Sequence, residues 1–251
     1  MATRALGERP WLIADENHAV ELALKAQLCR ERHGEVFAAD ARAAEASEAL
    51  AAAIETEGVP LVDAGNLHPL DRAGRSVQED LCLMERRPGG WYLAAASLCF
   101  PSRWRLADKI ERHVAAIHGP VTGYDTIASR VDQLFDRLQS PVWRRNWFVH
   151  GDPTLFQPVR PEREAVVPAE QIATGLVIRS ERQVLRPVGP SGWLVFSIKT
   201  QQVPLGRFLA SDDRARAFAL YLRETPVAVL EHRGLAPLQA DQVRLALATN
   251  R

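Results

Sequence analysis

Apolar and polar positions divide the chain into a helical first part, a strand-rich middle and a helical end. Val20, Leu24 and Leu28 recur four apart, with Leu22 and Ala26 alongside, and predict a helix over 17–32 that stops at Gly34. Residues 38–57 are dense in Ala and Glu and predict a second helix, closed by Gly58 and Pro60. Residues 61–76 carry turn residues and no sustained period, so a connector is expected there. The segment Gln78–Glu85 fits helix or strand, Arg86–Gly90 is a turn, and WYLAAASLCF (91–100) reads as a strand bounded by Pro101. Ser102 is a natural N-cap for a helix in which Trp104, Ala107, Ile110, Val114 and Ile117 hold helical spacing, ended by His118, Gly119 and Pro120. A further helix over 125–138 places Ile127, Val131, Leu134 and Leu138 on one face.

The remainder alternates. VWRRNWFV (142–149) and TGLVIRSERQVLRPV (174–188) are candidate strands. In WLVFSIKT (193–200), Leu194, Phe196 and Ile198 share one face, and VGPSGW before it is a hairpin turn by composition. Ala215, Phe218 and Leu222 mark a terminal helix, with a last short one in 236–248. Late strands joined by short turns favour antiparallel pairing, which predicts α+β rather than a doubly wound sheet. This order is compatible with a PAS-like antiparallel sheet with helices on one face. The expected organisation is one domain over 1–251, with a helical extension at about 1–76 and a helical tail at about 210–251.

Composition narrows the function. The 251 residues are 47% hydrophobic, enough for a sizeable core. Lys+Arg and Asp+Glu both number 31, and this neutral balance argues against non-specific nucleic-acid binding. Cys29, Cys82 and Cys99 have no CxxC spacing and read as reduced thiols of a reducing compartment. No apolar leader and no run near the length of a membrane span is visible, so the expected location is the cytoplasm. Walker A, GxGxxG, GxSxG and HExxH motifs are absent.

A few side chains could carry chemistry. His118 stands at a predicted helix C-terminus beside Gly119 and Pro120. A neutral imidazole there suits haem iron, and a protonated one suits the helix dipole. His150, after a strand, is the second ligand candidate. Trp104, Trp143 and Trp147 are core anchors or the wall of a flat aromatic cofactor pocket. Arg103, Arg105, Arg144 and Arg145 flank two of them, as solvated charges or as partners for carboxylates. Glu181, sharing a strand face with Val177, Arg179 and Leu185, is either paired with Arg179 or Lys199 or an acid/base group.

Taken together, LCFPSRWRLADKI (98–110), IHGPVTGY (117–124), RVDQLFDRL (130–138), VWRRNW (142–147), RSERQVLRPV (179–188) and VFSIKT (195–200) resemble the haem-containing subunit of the oxidative N-demethylases. The resemblance implies a PAS-like haem b domain. It implies oxygen-dependent removal of a methyl group from a small secondary amine, releasing formaldehyde, with electrons from a separate flavin and iron–sulfur reductase. It implies His118 as iron ligand, with Arg103, Arg105 and Lys109 as propionate contacts. Trp104 and Tyr124 would be further cofactor contacts, and Glu181 and Asn146 the polar distal pocket. It allows an oligomer. The alternative is a haem or small-ligand sensor without turnover. Two positions depart from the family's usual pattern: Glu111 stands where Gly is usual, and Thr122 where Pro is usual.

Overall fold

This computed structural model describes residues 3–63, 65–117, 125–162 and 165–249. The chain begins with β1 (Arg4–Ala5), α1 (His18–Glu31), α2 (His33–Val36), β2 (Phe37–Ala39), α3 (Ala44–Thr56) and α4 (Pro69–Ser76). Next come β3 (Asp80–Arg87), β4 (Gly90–Ser97), α5 (Val114–Ile117), α6 (Asp125–Asp136) and β5 (Val142–His150). Then follow α7 (Ile172–Gly175), β6 (Val177–Pro187) and β7 (Trp193–Pro204). The helices α8 (Leu205–Phe208), α9 (Asp212–Glu224), α10 (Val227–His232) and α11 (Pro237–Thr249) complete the series. The strands form one sheet in the order β1-β5-β6-β7-β3-β4-β2, and the pairs β1/β5, β2/β4, β3/β4 and β3/β7 are antiparallel. The α+β class read from the sequence therefore holds.

Two compact units divide the chain. The first comprises residues up to Arg144, Leu155–Val159 and Arg182–Lys199. Its β3 alternates in the way a strand buried on both faces must. Leu81 and Leu83 pack with Leu50 and Ile54 of α3 and Leu70 of α4, whereas Cys82 and Met84 pack with Leu106, Val114 and Val131. The helices thus cover both faces of β3–β4, not one, because both sets of alternating side chains are apolar. In the ambiguous segment 78–85 the chain is strand from Asp80 onward for the same reason: alternate residues find their own apolar layers.

The second unit comprises Arg145–Thr154, Arg160–Glu181 and the chain from Thr200 onward. Its core joins Val149, Ile178, Leu205, Phe218, Leu222, Leu230 and Val243. The predicted spacing of Phe218 and Leu222 is realised on α9, where both are buried.

Three local expectations need correction. The helix over 17–32 exists as α1, yet its buried face is Glu21, Lys25, Leu28 and Cys29, while Val20 is 72% exposed. The connector expected at 61–76 ends in α4, started by Pro69 and capped by the His68 ring nitrogen, which accepts from the Leu70 N–H. The single helix expected from Ser102 to Ile117 does not form. That stretch holds a 3-10 turn at Leu106–Asp108 and the short α5, with Arg103 and Glu111 at φ of 64° and 61°. The reason lies on β4, where β2 pairs only with residues from Ala95 to Ser97. Beyond it, the Leu93 N–H donates to the Arg112 carbonyl and the Glu111 N–H donates to the Leu93 carbonyl. Satisfying an open strand edge outweighs the helical period.

Candidate functional site

The segment leaving β4 is anchored at its root by one carboxylate. Asp80 accepts from the backbone N–H groups of Cys99 and Phe100, each at 2.8 Å, and the Leu98 N–H donates to the Val36 carbonyl at 2.7 Å. The Arg103 N–H then donates to the Gln157 carbonyl at 2.6 Å. From this fixed start the chain presents Trp104, half-buried against the apolar layer that contains Met84, Trp91, Leu93, Leu106 and Val114. The Lys109 ammonium lies 4.4 Å from the Trp104 ring centroid, a cation–π contact. Arg105 is exposed, and Arg103 is half-buried. Four predicted cofactor residues, Arg103, Trp104, Arg105 and Lys109, therefore share one loop.

Ile117 packs against the same apolar layer and is the residue immediately before His118. His118 and Tyr124, like Thr122, lie outside the described residues. His113 is occupied structurally. Its Nε2 faces Asp132 Oδ2 at 3.3 Å, its Nδ1 accepts from the Ala115 N–H, and its ring meets Tyr92 edge-on.

In the second unit, Asn146 on β5 accepts at Oδ1 from the Arg233 guanidinium, which also donates to the Trp147 carbonyl at 2.7 Å. Glu181 on β6 is buried, and so is Arg179, whose guanidinium donates to the Thr154 carbonyl at 3.2 Å. His150 at the end of β5 is buried, with Phe148 at 5.9 Å between ring centroids. A groove of about 1140 Å³ in this unit is lined by residues including Ala173, Leu209, Arg216 and Leu245, and none of the predicted site residues lines it.

Lys199, weighed from the sequence as a partner of Glu181, is committed elsewhere. Its ammonium is fully buried, 2.7 Å from Glu21 Oε2 and 3.1 Å from Asp15 Oδ2. Gln78 donates to both carboxylates, at 2.6 Å to Glu21 and 2.8 Å to Asp15. Nearby, the equally buried Lys25 donates to the carbonyls of Gly74 and Glu79 and faces Asp80 at 3.4 Å. Burial pushes the Glu79 carboxyl above its ordinary range, although it accepts from the Ile13 N–H. This buried ionic network holds α1 to β3 and β7, and through Asp80 it fixes the root of the loop. Sequence reading missed it. The signal was available: Glu21, Lys25, Leu28 and Cys29 have the i, i+4, i+7, i+8 spacing of one buried helix face.

The donor chemistry of the loop suits a flat, apolar dianion. It offers an aromatic and aliphatic wall with three cationic side chains close together in sequence. Among the described residues, no three His, Cys, Asp or Glu side chains cluster as a metal site. A family model, haem-dependent oxidative N-demethylase, alpha subunit-like, matches residues 50–242, more than three quarters of the chain. The chain belongs to this family. Within the alpha subunit-like family fold, the departure at Glu111 has a structural meaning. Its φ of 61° is a conformation glycine adopts without strain. The Glu side chain bonds Arg87 at 2.8 and 2.9 Å and Arg42 at 3.0 Å, so its charge is absorbed by two guanidinium groups. No helix among the described residues is long and apolar enough to cross a membrane.

Proposed function

We propose that this chain is a haem b protein that oxidatively N-demethylates a small secondary amine, using oxygen and electrons from a separate flavin and iron–sulfur reductase, in the cytoplasm. The loop over 103–109 carries the reading: an aromatic wall and three cations on a backbone clamped at Asp80 and Gln157. Family membership supports the same chemistry. Arg103, Arg105 and Lys109 would hold the propionates, and Trp104 with the apolar layer beneath it would keep water from the group. His118 would hold the iron. Bound there, haem supplies the oxygen chemistry.

The chain's own groups handle the substrate. A dimethylamine-like substrate is cationic near neutral pH, and the Glu181 carboxylate is the group that pairs with it and accepts its proton at a carboxylate oxygen. Asn146, its Oδ1 turned to Arg233, offers its amide N–H to the same ligand. The test is oxygen-dependent formaldehyde release from dimethylamine with a supplied reductant. Release that is lost in Glu181→Gln while haem remains bound supports the assignment. Haem binding with no release from any methylamine would overturn turnover and leave a haem sensor.

A further inference from the structure

Cys29 lies on α1, and Cys99 lies two residues beyond β4. Both are free and buried, and they share one apolar cluster with Leu28, Val36 and Phe100. Each thiol is the other's strongest electrostatic neighbour within that cluster. Both backbones are held, Cys29 within a helix and Cys99 by the Asp80 carboxylate. A disulfide asks for two cysteines brought side by side, and this small shared cluster is where that happens in the chain. Cys82, the third thiol, sits in a different apolar cluster, on β3.

We propose that Cys29 and Cys99 are a redox pair that closes to an intramolecular disulfide on exposure to hydrogen peroxide, tying α1 to the root of the loop that carries Arg103, Trp104 and Lys109. The pairing does not depend on haem or on the amine chemistry. Cys29 is the attacking thiol. The neighbouring Cys99 thiol brings it down to about 7 against the cost of burial, and Arg75 and Lys25 add their positive charge against Asp71. Cys99 is pushed up by its Cys29 neighbour and by burial, so it keeps its proton. Burial pushes Cys82 up to about 12, which leaves it inert.

The chemistry closes without further reagents. The Cys29 thiolate attacks one peroxide oxygen, the O–O bond breaks, and the departing hydroxide takes a proton to become water. The Cys99 sulfur then attacks the sulfenic sulfur of Cys29. The S–O bond breaks, the S–S bond forms, and the hydroxyl leaves as water with the Cys99 proton. Two thiols and one peroxide give one disulfide and two waters.

The experiment treats the reduced full chain with hydrogen peroxide, blocks with iodoacetamide, denatures, and counts thiols with a peptide map. The count is expected to fall from three to one, with a Cys29–Cys99 cross-linked peptide and full recovery in dithiothreitol. Cys99→Ser should leave Cys29 trappable by dimedone as the sulfenic acid, and Cys29→Ser should keep both remaining thiols. Persistence of all three thiols in the native protein, loss of Cys82 at the same rate, or a bridge between two chains would each overturn the proposal. The wild-type map decides even if a variant does not fold.

Discussion

Replacing Lys199 with Met removes a fully buried ammonium from between two carboxylates while keeping side-chain length. In the native protein that ammonium lies 2.7 Å from Glu21 and 3.1 Å from Asp15. Without it, Glu21 and Asp15 share one site, with Gln78 donating to both and the Asn17 N–H donating to Asp15. Removing one partner of a buried ion pair costs about 3–5 kcal/mol, because the uncompensated charge stays behind. Part of that is recoverable when one carboxylate takes up a proton, at about 1.4 kcal/mol per unit of pKa. In the variant that carboxyl titrates above its unfolded value, so its penalty grows as pH rises from about 4. The deficit should therefore be larger at pH 8 than at pH 5. Urea unfolding followed by tryptophan fluorescence measures it, and the melting temperature should fall by on the order of 10 °C. Glu21→Gln in the Lys199→Met background should recover roughly 1 kcal/mol or more, because the pair is coupled. A loss below about 1 kcal/mol, or one that does not change with pH, would refute the buried network as described.

Three further outcomes follow from single residues. Burial pushes Asp71 up, but hydrogen bonds from Arg75 at 2.8 and 3.0 Å and the contact with His33 at 2.8 Å outweigh it and hold the carboxyl below its ordinary value. That stabilisation is complete above the unfolded value near pH 4 and is lost as pH falls through the lower folded one. Asp71→Asn should thus cost about 2 kcal/mol at pH 7 and progressively less in an acid titration below about pH 4. Gly234 has φ of 83°, and a Cβ there would sit 2.1 Å from the Val149 carbonyl oxygen, so Gly234→Ala should destabilise by more than about 2 kcal/mol in thermal unfolding. Glu111→Gly removes left-handed strain of about 1 kcal/mol but also the bonds to Arg87 and Arg42, so its net effect should stay within about 1 kcal/mol; a larger loss would mean the ion pairs dominate.

The strands from β4 to β7 were legible because period-two patterns and turn residues are local signals, whereas β3, apolar on both faces, fitted helix or strand equally. α1 was legible as a helix but not in its orientation, since Val20 and Leu24 looked like the core side and the buried face is half ionic. Charge on a helix reads as solvent-facing until its partners Asp15, Asp80 and Lys199 are placed, and those come from distant segments. α4 was hidden because its close packing is made by a glycine: a Cβ on Gly74 would lie 2.0 Å from Ser97 Oγ. The segment from Ser102 to Ile117 carried a true helical period and lost to a non-local need, the unpaired edge of β4 at Leu93. Arg103, Trp104, Arg105 and Lys109 share one loop despite that error, since they are neighbours in sequence whichever backbone they adopt. Asn146 and Glu181 were placed on the expected strands, but the grip of Arg233 on Asn146 spans 87 positions and no sequence pattern announces it.

Haem binding by the loop and by His118 is the central proposal, and a haem titration of the purified full chain read by absorption tests it directly. The expected result is a stoichiometric Soret band that weakens at least tenfold in affinity when Arg103 and Lys109 are both changed to Ala, and whose ligand-field features vanish in His118→Ala. A chain that takes up no haem would contradict the account, as would one whose spectrum is unchanged in all of these variants.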